Sequence, residues 1–125
     1  MTLKDSYLNT RQRFVTICKS LKTEDYSVQP KIFVSPPKWH LAHSTWFFEQ
    51  FVLSEFKQDY KIFDEDFAYL FNSYYNNAGK RVLRPNRGLM TRPTVDEVYQ
   101  YRKYVEEQMV DFLNQNPSEK AKEII

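Results

Sequence analysis

Glycine is scarce in this 125-residue sequence, which contains only two. Tight β-hairpins depend on glycine, so this scarcity argues against a sheet built from hairpins and favours long helices. Cysteine is limited to Cys18, which excludes an internal disulfide and is typical of a reducing compartment. Neither a secretory leader nor a run of about 18 apolar residues occurs, so we predict a soluble, cytoplasmic protein.

Charge of one sign is also not in excess, since the net charge is only +2. The electrostatic field of so small a net charge does not indicate a polyanionic partner for the whole molecule. No nucleic-acid recognition motif is present either. Aromatic residues, in contrast, make up 17% of the chain. The length suits one domain, residues 1–125, that buries a core without disulfides or structural metals. The predicted fold class is an all-α, up-down helical bundle.

The strongest helix signal lies in the middle of the chain. Ser35 is a typical N-cap and is followed by two prolines that suit a first helical turn, so we predict a helix over residues 36–57. Apolar side chains cover almost its whole circumference, which is typical of a buried helix. The aromatic residues expected to be largely buried are Trp39, Trp46, Phe47 and Phe51.

Polar residues on this helix fall within one narrow sector. At 100° per residue, His43, Gln50 and Ser54 lie within roughly 40° of each other, between aromatic neighbours. Two interpretations remain open, namely a core histidine bonded to a neighbouring group, or a lined pocket. His40 lies about 60° from His43, close enough for both imidazoles to approach one metal ion.

Two further long helices are predicted, one on each side of the central helix. Apolar residues at helical spacing predict the first over residues 3–22, with Cys18 as a packed thiol on its apolar face. The capping box of Thr94 and Glu97 predicts the third over residues 94–114. A start signal at Asn116 and Pro117 then predicts a short helical tail, which we interpret as the beginning of a fourth helix that is mostly absent.

Between the second and third helices lies a long loop, residues 58–92, that is rich in aromatics and arginines. A loop of this length in a compact domain is usually functional. Gly79 and Gly88 are expected to provide turns in this loop. Its basic residues form a cluster near the C-terminal end, which comprises Lys80, Arg81, Arg84, Arg87 and Arg92. The cluster is either a solvated basic loop or a site for carboxylate or phosphate groups.

Two blocks of the sequence carry a family resemblance. SPPKWHLAHSTWFFEQFVL and YLFNSYYNNAGKRVLRPNRGLMTRPTVDEVYQYR resemble the N-terminal DinB-like domain of the ergothioneine-biosynthesis sulfoxide synthases. That resemblance implies a four-helix bundle with a three-histidine iron(II) site, over which a second domain closes. It makes His43 the first iron ligand, with His40 the only other imidazole in the chain. The remaining family ligands belong to an H-E-x-x-H-x-E motif that nothing here matches.

The resemblance also implies substrates, a small thiol and trimethylhistidine. Arg84 and Arg87 match the arginines that hold the thiol's carboxylates, and Gln50 is a further predicted contact in the polar sector. We therefore expect part of a metal and substrate site, inactive alone, with weak or absent iron binding and a missing C-terminal catalytic domain. The alternative is a non-catalytic helical module with a degenerate metal site that self-associates, for example as a homodimer.

Overall fold

Helices dominate the computed structural model, which describes residues 2–73 and 80–125. In chain order they are α1 (Leu3–Cys18), α2 (α-helical at Pro37–Phe48, π-helical at Glu49–Leu53 and α-helical again at Ser54–Phe56), α3 (Phe67–Phe71), α4 (Val95–Asn114) and α5 (Glu119–Ile124). Turns of 3-10 helix occur at Thr23–Ser27 and Arg84–Leu89. Within the described ranges there is no β-strand, only an isolated bridge between Lys31 and Val34. The predicted all-α class is confirmed.

Helix α1 is shorter than predicted. It begins at a capping box in which Thr2 and Asp5 exchange hydrogen bonds, and it ends at Cys18 instead of residue 22. The cause is a second start signal, because the carboxylate of Asp25 accepts the amide of Lys22 at 2.8 Å and opens the 3-10 turn. Cys18 is buried, as predicted, and burial raises the pKa of its thiol.

The predicted N-cap of α2 is wrong. Pro36 occupies the cap position without a side-chain hydrogen bond, and the hydroxyl of Ser35 instead accepts a hydrogen bond from Arg87. A capping oxygen normally accepts from an amide in the first helical turn. The prolines at 36 and 37 remove the amide hydrogens nearest to Ser35, which leaves its hydroxyl available for the distant arginine.

The π-helical segment of α2 disrupts the predicted polar sector. A π turn shifts every later residue around the helix axis, because its hydrogen bonds span five residues instead of four. Ser54 is consequently exposed and Gln50 is half-buried. The buried polar residue of this segment is Glu49, whose carboxylate accepts hydrogen bonds from Tyr101 at 2.9 Å, from the amide of Phe63 at 3.1 Å and from Tyr60.

The core lies mainly between α2 and α4. Trp39 and Trp46 are buried as predicted, with 3% and 1% of their surfaces exposed. Phe47 and Phe51 are only half-buried, since they pack against each other at 5.2 Å along the edge of the core. Helix α4 contributes a continuous apolar stripe of buried residues, which comprises Val98, Tyr101, Val105, Met109 and Phe112.

Both remaining helices agree with the predicted positions. Helix α4 begins with the expected capping box, in which Thr94 accepts from the amide of Glu97 at 3.1 Å. Helix α5 begins at the Ser118 cap, two residues after Asn116, which adopts a positive φ of 56° that excludes it from the helix. Helix α5 packs against the π-helical segment of α2.

The predicted loop over residues 58–92 has more structure than its sequence suggests. It contains α3 and the 3-10 turn at Arg84–Leu89. Tyr74, Tyr75 and Gly79, which belong to its aromatic block, lie outside the described residues. Among the helices in the described ranges, none combines the length and apolar character needed to cross a bilayer.

Candidate functional site

A cavity of about 450 Å³ lies where α2, the connector before it and the Arg84–Leu89 turn meet. Its walls are formed by Phe33, Val34, Ser35, Trp39, His40, His43, Ser73, Arg84 and Arg87. Four of the five predicted site residues, two histidines and two arginines, therefore line one cavity. Gln50 does not line it, because it lies seven residues beyond His43 and within the π-helical segment.

Helix α3 orients the aromatic side of this cavity. The last carbonyl groups of a helix have no partner within the helix and need one elsewhere. Here the carbonyl of Leu70 accepts a hydrogen bond from Trp39 Nε1 at 3.1 Å, and that of Phe71 accepts one from His43 Nδ1 at 2.6 Å. A short helix in the loop thus satisfies its own C-terminus and holds both rings in place.

The imidazole of His43 is stacked between two indoles. Its centroid lies 4.5 Å from Trp39 and 5.6 Å from Trp46, with interplanar angles of 11° and 21°. Because a carbonyl only accepts, Nδ1 carries the hydrogen and the neutral ring keeps its lone pair on Nε2. Burial lowers the pKa of His43, the nearby Arg87 lowers it further, and the hydrogen bond to Phe71 opposes this shift. His43 is therefore a neutral imidazole at pH 7.

The imidazole of His40, one turn earlier on α2, is more accessible. His40 is exposed and meets Trp39 and Phe14 edge-on, with centroids 5.3 Å and 6.3 Å away. It also lines two neighbouring cavities, so it stands where three concave regions of the surface meet. The two histidines share a cavity but differ in how firmly their rings are held.

Arg87 is the most buried charge in the cavity, with 3% of its surface exposed. Its guanidinium lies 3.7 Å from the centroid of Trp39, and its Nη1 donates to Ser35 at 3.0 Å. Its Nε is buried and has no hydrogen-bond partner among the described residues. Burial, together with the charges of Arg84 and Arg81, lowers the pKa of Arg87 to about 10, so it remains cationic at neutral pH.

The turn that carries both arginines is tied to the connector by Gln29. The side chain of Gln29 donates to the carbonyl of Arg84 at 2.6 Å and accepts from the amide of Gly88 at 2.7 Å. A Cβ at position 88 would lie 2.6 Å from Gln29 Oε1, so only glycine permits this close approach. The predicted turn at Gly88 thereby positions Arg84 and Arg87 at the cavity.

The chemistry of this cavity suits an anionic group beside a neutral imidazole. Guanidinium groups bind carboxylates and phosphates through paired hydrogen bonds, and a buried guanidinium with an unused donor favours such a ligand. His43 has the tautomer of a metal ligand, since Nδ1 donates to a carbonyl and Nε2 keeps its lone pair.

The cavity does not hold the donors of a complete metal site. No group of three potential ligands occurs among residues 2–73 and 80–125, and the full sequence contains only two histidines. These residues therefore do not fit a three-histidine iron site on their own, although His43 fits the role of one ligand.

A second cluster of buried charges was missed in the sequence. Arg102 donates to the carbonyls of Leu41 at 3.0 Å and Arg11 at 2.9 Å, and Arg11 donates to Glu106 at 3.1 Å. The available signal was the position of Arg102 within the apolar stripe of α4, three residues before Val105. These bonds join α1, α2 and α4, and burial lowers the pKa of Arg102 to about 10.

Comparison with known proteins gives one family. Residues 6–125 match the DinB superfamily, described as DinB_2. This match covers most of α1, all of α2 to α5 and all the residues that line the cavity. No curated protein matches the chain.

Proposed function

The chain belongs to the DinB superfamily, and from this premise we propose that it is the DinB-like domain of a non-haem iron sulfoxide synthase of the ergothioneine-biosynthesis type. In this role His43 supplies one ligand to the metal, with His40 beside it. Arg84 and Arg87 bind the carboxylates of a small thiol, and trimethylhistidine is the second substrate. Gln50 stays a predicted contact.

The observation that carries the proposal is the shared cavity of His43 and Arg87. Trp39 contacts both groups, with its ring centroid 4.5 Å from the imidazole centroid and 3.7 Å from the guanidinium carbon. A ligand carboxylate bound to Arg87 would lie in the cavity that the His43 imidazole also lines. This arrangement suits a small molecule that presents an acid to the arginine and another group to a centre at His43.

The donor set also limits the proposal. The described residues hold no group of three potential metal ligands. In the proposed role, another polypeptide segment supplies the remaining ligands and the chain alone is inactive. We expect iron(II) or nickel(II) to bind with a dissociation constant on the order of 10 µM or weaker. Anaerobic calorimetry of the chain and of His43→Ala is the measurement. Tight binding at one site per chain would contradict an incomplete centre.

The substrate half of the proposal has an independent test. L-cysteine, a small thiol with a carboxylate, should bind in the cavity and quench the fluorescence of Trp39. Arg87→Gln should weaken this binding at least about tenfold, because a charge-assisted pair contributes about 1.5 to 3 kcal/mol. Arg92→Gln is the matched control, since Arg92 is exposed and does not line the cavity. Equal loss in both variants would exclude a specific role for Arg87.

A non-catalytic, self-associating module is the second candidate, and exposed apolar side chains favour it. Ile32, Phe33 and Leu89 are 69%, 67% and 78% exposed, on two segments that Gln29 ties together. Large exposed apolar side chains that group together often mark an interface. Sedimentation equilibrium should then show a dimer that Phe33→Ser dissociates, whereas a monomer at all concentrations would exclude this reading.

A further inference from the structure

An apolar groove adjoins the candidate site on the side of α1. Its volume is about 540 Å³, and its apolar walls come from α1 (Phe14, Ile17), from Leu21 just after that helix and from the connector (Val28, Pro30, Val34). Ile17, Val28 and Val34 are 65%, 53% and 39% exposed although they converge on one concave surface. Single exposed apolar residues are ordinary, but a concave set of them is typical of a ligand site.

The described residues that line this groove carry one charge, a negative one. Cys18 lies buried at the groove, and burial raises the pKa of its thiol, so it acts as a small neutral group. Asp25 is the only residue with a full charge among the described residues that line the groove. Its carboxylate accepts the amide of Lys22 at 2.8 Å and is held in place. An anionic group is therefore disfavoured within the groove itself.

The groove adjoins the arginine cavity. Val34, Ser35 and His40 line both, so the two spaces share one wall. Ser35 also joins them chemically, because its hydroxyl accepts the Arg87 Nη1 hydrogen bond at 3.0 Å. A ligand at this wall would meet apolar side chains on one side and two guanidinium groups on the other.

We propose that this groove binds the apolar tail of a small amphipathic carboxylate whose headgroup lies on Arg87 and Arg84. The assignment of the headgroup rests on the proposed function, which uses the same arginines for a carboxylate. Charge complementarity sets the direction of the ligand, since the arginines attract the acid and Asp25 repels it. The unpartnered Nε of Arg87 supplies the donor that such a headgroup needs.

The test is a chain-length series of simple acids: acetate, butyrate, hexanoate and octanoate. Binding to the full chain is followed by calorimetry and by the NMR shifts of the His40 ring at the shared wall. Each methylene group should raise affinity at least about twofold, and about fourfold where it is fully buried. Arg87→Gln should weaken binding of the whole series by about tenfold or more.

Variants of α1 separate the tail from the headgroup. Ile17→Asp places a charge in the groove and should abolish the dependence on chain length while the affinity for acetate stays the same. Leu8→Asp is the matched control, because Leu8 is an exposed apolar residue of α1 that does not line the groove. It should leave the whole series unchanged.

The possible failures point to different conclusions. Affinity that does not rise with chain length, or that rises equally in Ile17→Asp, overturns the groove assignment and leaves the carboxylate site of the proposed function intact. Octanoate binding that survives Arg87→Gln overturns the headgroup assignment. Absence of competition between octanoate and L-cysteine would place the two ligands apart and would also overturn the proposal.

Discussion

The Nδ1 atom of His43 lies 2.6 Å from the carbonyl oxygen of Phe71. This contact joins the central helix to a short helix in the loop and selects the tautomer that leaves the Nε2 lone pair free. His43 therefore agrees with both interpretations of the polar sector, a bonded core histidine and a lined pocket. It is bonded to the backbone as a core histidine would be, and it also lines a cavity.

The stability of the fold should depend on the protonation of His43. Its pKa in the folded state is below the ordinary value of 6.5, so the unfolded chain takes up a proton first as the pH falls. The free energy of unfolding should therefore be constant at higher pH and should decrease as the pH falls through 6.5. Urea unfolding at a series of pH values measures this slope. His43→Asn should reduce this slope. The slope that remains should come from His40, whose pKa is also lowered.

The buried carboxylate of Glu49 should be essential for stability. Three donors converge on it, and Glu49→Gln would replace an acceptor oxygen by an amide donor that faces them. We expect a loss of about 2 to 3 kcal/mol in the free energy of unfolding. Glu55→Gln, at an exposed position of the same helix, should change it by less than about 0.5 kcal/mol. Equal effects would mean that Glu49 has no special role.

The two faces of α2 should differ in their response to truncation. Leu53 has 0% of its surface exposed, so Leu53→Ala should cost about 2 to 5 kcal/mol. Phe51 is half-buried at the edge of the core, and Phe51→Ala should cost only about 1 to 2 kcal/mol because part of the ring remains exposed in the folded state. Chemical denaturation of both variants is the measurement. If Phe51→Ala lowered the free energy of unfolding more than Leu53→Ala does, the Phe51 ring would belong to the core.

Gly88 should be the most sensitive position of the arginine turn. In Gly88→Ala the new methyl group would lie 2.6 Å from Gln29 Oε1, which forces the turn away from the connector. We expect a cost of about 1 to 3 kcal/mol in stability and weaker binding of L-cysteine, because Arg87 moves with the turn. Asn86→Ala, at an exposed position of the same turn, is the control. Unchanged cysteine binding in Gly88→Ala would show that Arg87 is not positioned through Gln29.

Local signals in the sequence predicted the helices well. The capping box of Thr94 and Glu97 and the apolar stripe that follows it correspond to helix α4 at Val95–Asn114. The membership in the DinB superfamily and the burial of Trp39 and Trp46 also agree with the sequence. Capping and helical periodicity act over a few residues, so they can be read from the order of side chains alone.

Errors in the sequence interpretation occurred where distant segments compete for the same group. Ser35 was expected to cap α2, but its hydroxyl accepts from Arg87, 52 residues away. The predicted line of His43, Gln50 and Ser54 assumed a uniform helix, whereas the π-helical segment at Glu49–Leu53 rotates the later residues. Local propensity carries no information about the packing against α5 and α4 that accompanies this segment.

By itself the sequence determined the all-α class, the approximate positions of the long helices and the identity of His40, His43, Arg84 and Arg87 as candidate site residues. Only the tertiary structure decided that these four side chains line one cavity and that His43 keeps its lone pair on Nε2. The physical reason is the path of the loop. Carbonyl groups at the end of α3 bind the loop to α2, and the side chain of Gln29 binds it to the connector before α2. These hydrogen bonds join residues far apart in the chain, and their geometry exists only in the packed state.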